Sequence, residues 1–191
     1  MVFGIYIPLI IAALAWNLAL SLPAGSMVLY FTSGLLLWTV LEYFIHRYAF
    51  HRVAPHYQHH EFPADRRYIF APLWFSLGSA AVVWAILSLI TRSWQLGALV
   101  EAGVVVGYLG YEWLHLRIHS ESPGGPVLRG LRRHHYYHHF ADDTKCYGVV
   151  TPFWDRVFGS LPDTLSEARQ GTSLGKSRAG IERNSGNRGA L

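Results

Sequence analysis

Eleven histidines lie between positions 46 and 139, and the remainder of the 191 residues holds none. Imidazole is a neutral nitrogen ligand for iron, zinc, copper and nickel, so imidazoles gathered at regular spacing point to metal coordination. Three groups use the intervals at which helical side chains share a face: His56, His59 and His60; His115 and His119; His135, His138 and His139. Each group can aim two or more rings at one point. His46 and His51 stand about 140° apart on an ideal helix. They face one centre only if the helix ends between them; otherwise they serve two ions. A four-coordinate zinc site takes at most four protein ligands, whereas these ten histidines furnish two ions with four or five nitrogens each. The count therefore indicates a dinuclear centre. His134 falls outside the favoured spacing and reads as a polar residue near an interface. Cys146 is the sole cysteine, which excludes an intramolecular disulfide framework and a thiolate-rich metal site.

Two carboxylates sit close to these histidines in sequence. Glu112 begins an E-x-x-H with His115, the half-motif of carboxylate di-iron bundles, but the chain contains no second E-x-x-H. Glu42 and Glu112 are better read as acceptors that orient a ligand histidine within one helical turn.

The elements that position this chemistry read as helices built for lipid. Half the residues are apolar, 15% are charged, and Trp, Tyr and Phe are abundant. Apolar stretches at 3–22, 27–45, 69–90 and 96–118 each approach the ~20 residues needed to cross a bilayer. Pro23 and Gly25 mark a tight turn between the first two, and "TRSWQ" joins the last two. The expected fold class is all-α, an integral membrane protein with about four transmembrane helices and a histidine-rich helical cap. Four crossings place Arg47, Arg52, Arg66, Arg67, Arg117, Arg129, Arg132 and Arg133 on the histidine side and only Arg92 in the opposite loops. The positive-inside rule makes the histidine face cytoplasmic. With basic residues in short clusters between apolar runs, the net charge of +4 fits membrane topology, and no nucleic-acid partner is expected. Residues 1–164 form the expected membrane-embedded domain, and 165–191, rich in Ser, Gly, Arg and Asn, an expected disordered tail.

The runs "EYFIHRYAFH" (42–51), "HYQHHEFPADRRYIFAP" (56–72), "YEWLHLRIH" (111–119) and "HYYHHFADDTKCYGVVTPFWDRVFGS" (135–160) resemble, in order and wording, the fatty acid hydroxylase and sterol desaturase superfamily of membrane di-metal oxygenases. The resemblance covers about 40–160, and its ending looks most like the fatty acid 2-hydroxylase branch. It implies that His46, His51, His56, His59, His60, His115, His119, His135, His138 and His139 hold two metal ions. Iron is expected for activity, and zinc is compatible with purified protein. Asp155 matches the aspartate of the closing motif, with a supporting or packing role. One departure concerns the link between His51 and His56, which is shorter than in many family members and limits how far each ring can reach.

What the resemblance implies is a monooxygenase that hydroxylates the acyl chain of a lipid or fatty acid with O2 and electrons from a separate electron-transfer protein. Trp38, Phe44, Tyr108 and Trp113 are candidates to line an acyl channel or simply to pack helices. Arg129, Arg132 and Arg133 are candidates to dock an acidic headgroup or donor, or are solvated positive-inside residues. A lipid desaturase or carotenoid hydroxylase uses similar boxes. Outside that class stand a zinc-stabilised structural membrane protein and a metal transporter, although a transporter would carry its ionisable groups in mid-helix.

Overall fold

The computed structural model describes residues 2–52, 54–63, 65–120 and 124–164, and the expected tail at 165–191 lies outside them. Its elements in chain order are α1 (Val2–Ala19), α2 (Ala24–Phe44), a π-helical turn (Ile45–Ala49), a 3-10 turn (Phe50–Arg52), α3 (Ala54–Glu61), α4 (Arg66–Ile69), α5 (Leu73–Thr91), α6 (Trp94–His119), α7 (Pro126–Phe140) and α8 (Phe153–Val157). No strand occurs among the described residues, as the sequence predicts. The chain divides into two compact units, one formed by 1–42 with 70–113, the other by 43–69 with 114–191.

The first unit is a set of long apolar helices. Small residues let α2 and α6 approach closely: a Cβ on Gly34 would collide with the Val100 carbonyl, and one on Gly103 with the Phe31 carbonyl. Such contacts drive helix association where lipid supplies no hydrophobic force. Around them, Trp38 packs edge-on to Tyr108, which meets Tyr6 in the same way. Trp38 and Tyr108 thus serve as buried packing residues, whereas Trp113 is exposed. At the α5–α6 turn Arg92 adopts a left-handed conformation (φ 52°) and ends α5. Ser93 then accepts the Leu96 N–H through its hydroxyl.

Three spans are long and apolar enough to cross a membrane: Val2–Ala19, Ala24–Arg52 and Arg66–Thr91. The fourth expected crossing corresponds to α6, which at 26 residues is long enough. Glu101 and Glu112 make it more polar, and it buries Leu99, Val100, Ala102 and Val104 against its neighbours. It is the packing centre of its unit more than a lipid-facing helix.

The second unit is short helices and turns. The π turn decides how its first two histidines sit, because the Phe50 N–H bonds to the Ile45 carbonyl five residues back. That widened turn brings residues five apart close to one face, which an ideal α-helix does not do.

Candidate metal centre

All ten histidines expected as ligands belong to the second unit, and they gather into two clusters of five. His46, His51, His56, His60 and His138 form one; His59, His115, His119, His135 and His139 form the other. Within each cluster, one ring nitrogen per residue lies within 4.8 Å of all the others. The clusters draw on the elements in a regular way. The π and 3-10 turns send His46 and His51 to the first, and the end of α6 sends His115 and His119 to the second. α3 and α7 each serve both: His56 and His60 part from His59, and His138 parts from His135 and His139. The close pairs from α3 and α7 are spaced i, i+4, whereas His59 and His138 turn to the other cluster. Spacing suggested that each triplet aims two or more rings at one point, and the i, i+4 pair of each triplet does so while its third ring joins the other cluster. His51 and His56 reach the same cluster despite the short link between them.

Ring orientation is set by backbone carbonyls. His46 Nδ1 donates to the Tyr147 carbonyl, His138 Nδ1 to the Lys145 carbonyl at 2.7 Å, and His115 Nδ1 to the Ile69 carbonyl at 3.1 Å. A carbonyl only accepts, so each Nδ1 carries the proton and each neutral ring presents a bare Nε2 lone pair to its cluster. These Nε2 atoms then crowd one another. His46 Nε2 is 3.1 Å from His56 Nε2, and His51 Nε2 is 3.1 Å from His138 Nε2. His135 Nε2 lies 3.0–3.1 Å from the Nε2 atoms of His115, His119 and His139 at once. One ring nitrogen cannot serve three such neighbours by hydrogen bonding. A shared cation accounts for the spacing: nitrogens about 2.1 Å from one ion at right angles stand about 3.0 Å apart. His59 is fully buried, with neither ring nitrogen partnered among the described residues, a costly arrangement that a metal bond would relieve. The donor set therefore fits metal ions on grounds internal to the structure.

Burial reinforces this state. Desolvation first, and neighbouring imidazoles second, push His56, His59, His135, His138 and His139 well below the ordinary histidine range, and His60 down to about 3. These rings of His56, His59, His60, His135, His138 and His139 are held neutral at physiological pH, the form a metal needs.

The closing "FWDRVFGS" builds a second network beneath the first cluster. Asp155 is fully buried, and its Oδ1 accepts the Tyr147 N–H at 2.8 Å and the Ser160 hydroxyl at 2.7 Å. Its Oδ2 accepts the Gly148 N–H at 2.9 Å and His134 Nε2 at 2.9 Å. Tyr43 donates to the Ser160 hydroxyl at 2.9 Å and accepts from Arg47 at 2.6 Å. Asp155 thus fixes the peptide whose carbonyl orients His46. Gly148 is required here, because a Cβ would strike the Thr151 carbonyl and Asp155 itself. His134, which its spacing left outside the ligand set, joins neither cluster; its partly exposed ring bonds Asp155. Cys146 is buried with a left-handed backbone (φ 60°), and burial pushes its thiol up, so it takes no ligand or nucleophile role. Of the two glutamates expected to orient ligand histidines, Glu112 Oε1 accepts the Ala71 N–H at 3.1 Å, and both Glu42 and Glu112 are fully buried.

The fatty acid hydroxylase family model matches residues 31–160, from mid-α2 through the end of the Asp155 network. The chain belongs to the fatty acid hydroxylase family. It is similar to the dihydroceramide fatty acyl 2-hydroxylase FAH2 of Arabidopsis thaliana, 29% identical over 87% of this chain and 74% of that one. The fatty acid 2-hydroxylase of Homo sapiens is 36% identical over 69% of this chain, which spans only 39% of the human protein's length. Among solved structures, full-length scs7p, of which only the hydroxylase domain is visible, superimposes with a TM-score of 0.77 over 85% of this chain and 67% of that one, at 24% identity. That likeness bears on the fold. Family membership makes the chain a membrane hydroxylase, and its two clusters fit a histidine-box metal site. The transporter and structural-zinc readings fall away with it.

Proposed function

We propose that this hydroxylase inserts one oxygen atom from O2 into the C–H bond at position 2 of a fatty acyl chain, carried by a ceramide-type lipid or a fatty acid. The balance is R–H + O2 + 2 e⁻ + 2 H⁺ → R–OH + H2O, with both electrons from a separate electron-transfer protein. The supporting observation is the pair of five-nitrogen clusters, with bare Nε2 atoms converging where no proton can satisfy them all. Each cluster holds one ion, iron in the active enzyme, and the pair supplies the dioxygen activation that amino-acid side chains cannot.

The protein's own contribution is positioning and protection. Carbonyls of Ile69, Lys145 and Tyr147 fix the tautomers; Asp155 holds the Tyr147 peptide; burial of His46, His59, His115, His135 and His138 keeps water from the ligands. Glu42 and Glu112 serve as buried supporting carboxylates. The arginine asymmetry supports a cytoplasmic position for the histidines, where a soluble donor can reach them.

The test is expression in a host lacking 2-hydroxylated lipids, followed by mass spectrometry of its acyl chains. Chains with a hydroxyl at position 2, absent when His138→Ala and His139→Ala remove one ring from each cluster, are the expected product. New double bonds, or hydroxyls only at other positions, would replace this reading with a desaturase or a different regiochemistry.

A further inference from the structure

The first unit contains a concave feature with chemistry of its own. α1, α5 and α6 meet around a cavity of about 600 Å³, a size typical of small-molecule sites. Its hollow comes from composition: Ala12 and Ala13 on α1, Ala80 and Ala81 on α5, and Ala98 and Ala102 on α6 leave space that larger side chains would fill. Trp16 and Trp84 also line it and remain 43% and 36% exposed, so it opens at the outer surface of these helices. Against this lining stands the carboxyl of Glu101. The residue is 9% exposed, and neither oxygen has a hydrogen-bond partner among the described residues. Ala98 and Val105, three residues before and four after, share its helix face and line the same cavity. A carboxyl buried beside alkyl groups and the Tyr6, Trp16 and Trp84 rings is costly unless something satisfies it, and in a membrane helix it marks a functional position.

We propose that this cavity binds a single-chain lipid through a hydroxyl that hydrogen-bonds to Glu101, with the alkyl chain laid along the alanine floor. Shape selects a thin flexible chain, and the carboxyl selects its polar group. A plain hydrocarbon tail would leave Glu101 orphaned. A phosphate or carboxylate would set an acidic group against an acidic group. A hydroxyl both donates and accepts, and so satisfies the carboxyl in either protonation state. The site uses no histidine, and its occupancy is independent of the reaction proposed above.

The probe is a hexadecanol carrying a mid-chain diazirine, photolysed with the full-length protein in lipid nanodiscs, with its methyl ether as control. Adducts mapped by mass spectrometry should fall on peptides of α1, α5 or α6. They should drop at least fivefold for the ether and for Glu101→Leu, while Glu101→Gln, which keeps an acceptor, stays within twofold of the parent. Metal content and melting temperature, measured on each variant, separate loss of the site from loss of the fold. Equal labelling by alcohol and ether, or by a folded Glu101→Leu protein, would overturn the proposal. If Glu101→Leu does not fold, Ala81→Phe decides: it fills the cavity, and unchanged alcohol labelling of these helices would reject the site.

Discussion

In the unit formed by 1–42 and 70–113, helices meet through glycine and aromatic contacts, Gly34 and Gly103 against backbone and Trp38 against Tyr108. In the unit formed by 43–69 and 114–191, contacts pass through imidazoles, carbonyls and one buried aspartate. The first derives its order from close packing in surroundings that offer little hydrophobic force. The second has short helices of mixed polarity and depends on every polar atom finding a partner. His59, whose ring nitrogens have no hydrogen-bond partner among the described residues, offers one of them to its cluster. One half therefore rests on helix packing and the other on polar contacts around the histidines, and mutations should act differently in each.

The largest effect is expected at Asp155. Replacing it by Ala strands the Tyr147 and Gly148 N–H groups and the Ser160 hydroxyl, at a cost of about 1–3 kcal/mol for each buried group left unpaired. Because it also frees the carbonyl that orients His46, hydroxylation should fall about 10- to 100-fold. Asp155→Asn, which keeps the acceptor but sets an amide against donors, should fall between the two. Product yield per folded protein, with metal content alongside, checks this; an active Asp155→Ala protein would break the link between the closing motif and the metal centre.

Gly103→Leu probes the other half. Overpacking against the Phe31 carbonyl should destabilise the protein by about 1–3 kcal/mol or more, seen as a lower melting temperature. The folded fraction should keep its metal, since no ligand depends on this contact. Metal lost in proportion to stability would mean that the two halves are not energetically separable.

Acid should act on the metal-free protein through the second unit. His60 is depressed to about 3 against an ordinary 6.5 by burial, with His51 and His115 adding to the shift. Between those values the unfolded chain binds protons that the folded chain refuses, so stability is full above about pH 6.5 and declines as pH falls toward 3. Melting temperature should drop from pH 7.5 to pH 5 in the parent and drop less in His60→Gln. A flat profile would show that the imidazoles are solvated.

Much of this was legible in the residues, and the remainder was not for physical reasons. Apolar runs located α1, α2, α5 and α6 because length and composition are local properties. Helical spacing identified the ten histidines, but the assignment of His59 and His138 to opposite clusters depends on how α3 and α7 meet. The π turn that unites His46 with His51 has no local signature in "IHRYA". Carbonyl acceptors are invisible in sequence, since every residue has one. His134 was set aside because its spacing is wrong for a ligand, and its partner, Asp155, lies 21 residues away. α6 reads as a fourth crossing from its many apolar residues, but that they face its neighbours is decided by how the helices pack.

The central claim, one ion in each cluster, is tested most directly by elemental mass spectrometry of detergent-purified protein. Two double variants complete the set: His46→Ala with His138→Ala, and His135→Ala with His139→Ala. The account predicts about two ions per chain in the parent and about one in each double variant, iron among them. One ion or none in the parent, or two retained in both variants, would contradict it.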